Sequence, residues 1–192
     1  MYERRIKQIL DRIISGGLLL LLWPLLLLIG ALIKLEDGGK VLFTQYRLGR
    51  DRVPFKIYKF RTMKENHKAP DKRAHRGDDR ITRVGAVLRK TSLDELPQLF
   101  NILKGDMSII GPRPILPEEA QLPEGGFPYE KRFSCLPGLC CTVDIKYRAT
   151  ADRKLQFTMD AAYAEDIKFT EDILIAMRAA KTVLTGKNIY PE

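Results

Sequence analysis

Apolar and polar positions divide the chain into one long apolar block followed by short amphipathic ones. Residues 2–12 (YERRIKQILDR) lead in, with Ile6, Ile9, Leu10 and then Ile13 on one helical face. Arg4, Arg5, Lys7 and Arg12 surround that face, the pattern of a basic amphipathic segment at a membrane surface. From Ser15 to Ile33 there is no charge and leucine dominates. At about 1.5 Å per residue the run is long enough to cross a hydrocarbon core. It is too long for a signal-peptide core, and no small-residue cleavage site follows. Pro24 sits in its middle and removes a helix hydrogen bond, at a cost of roughly 3 kcal/mol. Lys and Arg flank both ends, so charge bias selects no orientation. A kinked spanning helix and a re-entrant hairpin both satisfy this pattern.

Beyond the block, 41–46 (VLFTQY) and 55–61 (FKIYKFR) are β-type runs joined by a polar, Gly-containing loop, the makings of a hairpin. Residues 64–80 are almost all polar and read as a loop. Residues 81–90 (ITRVGAVLRK) read as a short helix, with Arg83, Arg89 and Lys90 either site cations or surface charges. A helix from about 95 to 104 follows. Asp94 is its expected N-cap, which places Pro97 in the tolerated first turn. Its expected apolar stripe is Leu96, Leu99, Phe100 and Leu103, and Lys104-Gly105 its stop. Residues 115–138 look irregular. Tyr163, Ile167, Leu174, Met177 and Leu184 fall at helical spacing and predict a packed helix over 160–185, with a second membrane-surface element as the rival reading. The expected architecture is α/β and mainly helical: a membrane segment over 1–35, then one domain over 36–192 carrying a β-hairpin.

Composition narrows the partners. The chain has 192 residues, 33 Lys plus Arg against 24 Asp plus Glu, and a formal net charge of +9. That balance favours anionic lipid, nucleotide or nucleic acid. The basic runs lack interleaved aromatics, which disfavours nucleic acid. The three cysteines include neighbours, Cys140 and Cys141, which argues against a disulfide framework and for a reducing compartment. Only His67 and His75 are present, both in the polar loop, so a Ser-His-Asp triad and a His-rich zinc site are improbable.

The chemistry concentrates in 91–114, TSLDELPQLFNILKGDMSIIGPRP. Asp94 and Glu95 are adjacent carboxylates at an expected helix start, where free amides and the helix dipole favour an ionised Asp94. An ionised carboxylate can attack phosphorus or bind Mg2+. Pro114 holds Arg113 in extended geometry, so a stiffly carried guanidinium is offered to a phosphate. Lys59 and Arg61, two apart on a strand, form a cationic pair able to grip a diphosphate, or else a solvated edge.

The order Ser-Leu-Asp-Glu-Leu-Pro-Gln-Leu, Leu-Lys-Gly-Asp-Met-Ser and Gly-Pro-Arg-Pro closely resembles the bacterial sugar transferases that are monotopic phosphoglycosyl transferases. The block Tyr58-Lys59-Phe60-Arg61-Thr62-Met63 resembles them too, as do the length, position and central proline of the membrane segment. The resemblance implies transfer of a phosphosugar from a UDP-sugar to a polyprenyl (undecaprenyl) phosphate, with release of UMP, at the cytoplasmic face of a bacterial inner membrane. It favours the re-entrant reading, in which Pro24 breaks the segment. It implies Asp94 as nucleophile, Glu95 as metal partner or base, Mg2+ as cofactor, and Lys59, Arg61 and Arg113 as phosphate ligands. The pattern departs at 139–144 (LCCTVD), with only Arg148, a further phosphate ligand by the resemblance, where the family has its arginine. Phe157, Asp160 and Tyr163 return to register, Asp160 and Tyr163 as candidate substrate-site residues. The departure leaves a non-catalytic membrane-bound homologue as the alternative.

Overall fold

The computed structural model describes residues 2–64, 78–121, 128–141, 143 and 152–185. Arg148, most of the divergent stretch after it begins, and most of the polar loop at 64–80 lie outside the described residues.

A π-helical turn, Tyr2–Ile6, runs into α1 (Lys7–Asp37). Within α1 an 18-residue window reaches a mean hydropathy of 2.5, and the helix is long and apolar enough to cross a membrane. The helix is assigned without interruption through Pro24, so the segment is not two separate helices. It ends at Gly38, where φ of 72° is the left-handed geometry that glycine adopts freely.

A single stripe of α1 packs on the rest of the chain. Lys7, Asp11, Ser15, Leu19, Ile29 and Ile33 are buried along it. Leu19 joins a cluster with Phe55, Ile57, Leu99, Ile102 and Met107. Ile29 and Ile33 join Phe60 and Leu88. The opposite side is apolar and open, with Leu20, Leu21 and Leu35 more than 70% exposed. A contiguous apolar surface on this scale is not tolerated by water and marks a lipid or protein contact.

The hairpin is present: β1 (Leu42–Leu48) pairs antiparallel with β2 (Pro54–Phe60), Phe43 opposite Lys59. Asp51 and Arg52, both at positive φ, reverse the chain between them. Arg52 then donates to Glu130 at 3.1 and 2.6 Å. The short helix is α2 (Arg83–Thr91), and its first amides donate to the carboxylate of Glu36 from the end of α1. Gly85 is required there, because a Cβ would lie 2.2 Å from the carbonyl oxygen of Thr62.

After α2 come α3 (Gln98–Lys104), β3 (Ser108–Ile110), β4 (Gly138–Cys140), α4 (Arg153–Glu165) and α5 (Phe169–Thr185). β3 and β4 are parallel. Gly105, at φ 92°, stops α3 as expected. The helix expected over 160–185 is instead two helices, broken where Asp166 leaves helical geometry at φ −142° and ψ 74°. The face of α3 also differs from expectation. Gln98, Leu99, Asn101 and Ile102 are buried, while Phe100 and Leu103 are exposed beside the apolar α1. The cause is Asn101, whose side chain accepts from the Tyr58 amide at 3.0 Å and donates to the Lys56 carbonyl at 2.7 Å. It closes the free edge of β2, and that bond sets the rotation of α3.

Candidate active site

Asp94 and Glu95 lie in a 3-10 turn, Leu93–Glu95, between α2 and α3. Ser92 ends α2 in left-handed geometry at φ 60°, uncommon for a residue other than glycine. That single residue redirects the chain, so that Asp94 and Glu95 face β2 instead of continuing along α2. α3 begins only at Gln98 and has no side-chain cap, so Asp94 does not cap it. Pro97 occupies the capping position, and the residues before it wind as a 3-10 turn instead.

The electrostatics of Asp94 change accordingly. Without a helix terminus to stabilise its charge, burial pushes its carboxyl up to about 6, and the neighbouring Glu95 charge pushes the same way. Lys59 and Arg89 pull it back. Lys59 Nζ donates to Glu95 Oε1 at 2.5 Å, with both side chains about a quarter exposed. Arg89, left open between site and surface by the sequence, thus acts on Asp94 through its field. Glu95 holds the ammonium, while Asp94 is left basic and half-buried.

Arg61 does not share the Lys59 face. The strand ends at Phe60, and the buried Arg61 guanidinium turns back to the end of α1, bonded to both oxygens of Asp37, to the Lys40 carbonyl and, at 3.3 Å, to that of Met63. It ties α1 to β2. Arg113 is exposed. Asp160 and Tyr163 are both buried. Asp160 is 0% exposed and bound to Arg132 Nη2 at 2.7 Å. Tyr163 donates to Asp172 Oδ1 at 2.6 Å.

Arg47 escaped the sequence reading, where a charge on a short strand looks like a solvated edge. Burial lowers its pKa, and the charges of Glu119, Arg113 and Glu95 all reach it. Its Nη2 donates to Gln45 at 2.8 Å, and its Nη1 lies 3.4 Å from the Pro114 carbonyl. It couples the carboxylate turn to the Arg113 segment. A cavity of about 510 Å³ opens elsewhere, against Lys7, Arg50, Ser108 and Tyr163, and includes neither Asp94 nor Glu95.

Asp94 and Glu95 are too few to enclose a metal, and no group of three or more such ligands exists among the described residues. They do fit Mg2+, which is commonly held by one or two carboxylates with substrate phosphates completing its shell.

A profile of the family described as bacterial sugar transferase matches residues 2–186. The UDP-glucose:undecaprenyl-phosphate glucose-1-phosphate transferase of Caulobacter vibrioides is 38% identical over 96% of this chain and 72% of its own length. A UDP-N-acetylgalactosamine-undecaprenyl-phosphate N-acetylgalactosaminephosphotransferase of Aeromonas hydrophila is also 38% identical, over 94% of this chain but 44% of its own length. The exopolysaccharide production protein ExoY of Rhizobium meliloti is 36% identical over 96% of this chain and 88% of its own.

Proposed function

The chain belongs to the bacterial sugar transferase family, and from that membership we propose that it transfers a phosphosugar from a UDP-sugar to undecaprenyl phosphate, releasing UMP and initiating glycan assembly. The observation that carries this reading is the Asp94 carboxylate, half-buried and raised to about 6, beside the Glu95–Lys59 pair. At pH 7 a carboxyl with that pKa is ionised roughly ten to one, yet it is more basic than an ordinary aspartate and so a better nucleophile.

In the proposed reaction an Asp94 oxygen forms a bond to the β-phosphorus of the UDP-sugar. The bond from that phosphorus to the bridging oxygen breaks, and UMP leaves with the electron pair. A phosphate oxygen of the polyprenyl phosphate then attacks the aspartyl phosphosugar, and the Asp94 carboxylate is released. Phosphoryl transfer asks a protein mainly for positioning and charge stabilisation. Lys59 and Arg113 supply fixed positive charge, and Arg89 and Arg47 add theirs from behind. Mg2+, held by Asp94 and Glu95, would supply neutralisation of the diphosphate.

What α1 touches supports a membrane arrangement with both of its ends on one side. Near its start Lys7 bonds Asp172 at 2.7 Å and Asp11 accepts from Ser108 at 2.5 Å. At its end Glu36 caps α2 and Asp37 holds Arg61. Lys7 and Glu36 are about 44 Å apart along a straight helix, more than the roughly 30 Å of hydrocarbon. A helix tied at both ends to one polar domain cannot cross a bilayer without dragging that domain through it. These contacts support both ends lying on one face, with the open leucine side in lipid, and the proposed reaction puts that face in the cytoplasm. Mass spectrometry after incubation with UDP-sugar alone, expected to show one phosphosugar adduct on Asp94, and UMP release against a panel of UDP-sugars test the reading. No adduct on Asp94 from any donor would overturn it.

A further inference from the structure

Pro112 and Pro114 lack amide hydrogens, so the segment that carries Arg113 can be held through its carbonyls but hardly through donors. Four successive carbonyls are in fact bound. Pro112 accepts from the Gly138 amide at 2.9 Å, and Ile115 from the Leu48 amide at 2.9 Å. Pro114 faces Arg47 Nη1 at 3.4 Å. The carbonyl of Arg113 itself accepts from Arg132 Nη2 at 2.9 Å.

Arg132 is the unusual member of this set. It is 3% exposed, and the same Nη2 donates to Asp160 Oδ2 at 2.7 Å. Its guanidinium lies over the Phe157 ring at 4.3 Å and the Phe133 ring at 5.0 Å. A buried ion pair is weak evidence for stability, because apolar groups of similar volume often pack as well. What apolar groups cannot provide is a donor aimed at one carbonyl. We propose that Arg132, locked by Asp160 and stacked on Phe157, is a positioning residue that sets the backbone at Arg113 and so aims the Arg113 guanidinium at the substrate diphosphate. The inference rests on Arg113 being a phosphate ligand, as read above. Asp160 then acts through Arg132 and the Arg113 carbonyl, without touching substrate.

A double-mutant cycle separates positioning from mere support. Purified protein in lipid nanodiscs carries Arg132→Lys, the apolar pair Arg132→Met with Asp160→Leu, Arg113→Lys, and each combination. The apolar pair should keep its thermal transition within a few degrees of wild type but raise KM for the UDP-sugar about tenfold, with kcat changed less. A purely structural role would instead lower the active fraction, reducing kcat at constant KM. In the Arg113→Lys background the Arg132 changes should add less than twofold, because there is no longer a fork to aim. Should an Arg132 variant fail to fold, Asp160→Asn, which loosens the lock and keeps the donors, enters the same cycle. Full multiplication of the two effects, an unchanged KM, or an Arg113→Lys enzyme equal to wild type would overturn the inference. Wild-type UMP release and the Asp94 adduct report on the proposed reaction separately.

Discussion

Lys59 Nζ is bonded to Glu95 Oε1 at 2.5 Å and reaches the adjacent Asp94 through its field. Two carboxylates of one turn therefore sit in different electrostatic surroundings. Glu95 is charge-paired, and the Asp94 carboxyl is raised. Asp94→Asn keeps the shape of the side chain but removes the nucleophilic oxygen, so turnover should fall by at least a thousandfold. The same change should stabilise the fold at neutral pH. The folded carboxyl titrates near 6 against an unfolded value of 3.8, so ionised Asp94 costs stability, increasingly from about pH 4 to 6 and fully above. The melting temperature of Asp94→Asn should exceed wild type at pH 7.5 and converge with it toward pH 4. Lower stability at pH 7.5 would contradict the raised pKa.

The pH profile is a second check. If the ionised Asp94 attacks, kcat/KM should rise with pH on a limb near 6, well above an ordinary aspartate. Lys59 lowers the Asp94 pKa, so Lys59→Met should move that limb upward as well as slowing the reaction. A limb that stays in place would separate Lys59 from Asp94.

Arg113→Lys tests the fork. A bidentate guanidinium grip is lost when a compact ammonium replaces it, so kcat/KM for the UDP-sugar should fall well over tenfold. Equal activity would make Arg113 a surface residue.

The bonds of Arg61 to Asp37 give it a structural role that can be separated from phosphate binding. That contact holds the Asp37 carboxyl down at about 2, and it joins the end of α1 to the end of β2. Asp37→Asn should lower the melting temperature at pH 7 and leave KM for the UDP-sugar within twofold. A raised KM with unchanged stability would return Arg61 to the phosphate site.

What was legible in the sequence was whatever local pattern decides. The uncharged run from Ser15 to Ile33 gave α1, alternation gave the hairpin, and Lys104-Gly105 gave the stop of α3. The start of α3 was misread because a 3-10 turn and an N-cap draw on the same Ser, Asp and Glu. Asp94 was expected to be held ionised by a helix terminus that is not beside it. The pairs Arg132–Asp160, 28 residues apart, and Arg61–Asp37, 24 apart, were invisible because no local rule names a distant partner. Arg47 was missed for the same reason, its neighbours being supplied by three other segments.

The final prediction concerns Pro24, on which the membrane course of α1 turns. A leucine-rich helix of this length meets every condition for spanning, since its backbone is satisfied internally and its side chains suit lipid. Two features oppose that. Pro24 cannot donate to the Leu20 carbonyl, which weakens the helix at its middle. The buried contacts of Lys7 and Asp11 at one end, and the more exposed ones of Glu36 and Asp37 at the other, hold both ends on one domain. Pro24→Leu removes only the first, so the N-terminus should stay cytoplasmic in most molecules. Adding Lys7→Met and Asp11→Leu, which release the N-terminal anchor, should let the segment cross. A single cysteine placed beside Tyr2, with the native cysteines replaced, reads this out through a membrane-impermeant reagent on intact cells. Wild type should stay protected, Pro24→Leu should label weakly, and the triple variant strongly. Strong labelling of wild type would mean that the segment already spans, and the two anchored ends could not then both describe the protein in its membrane.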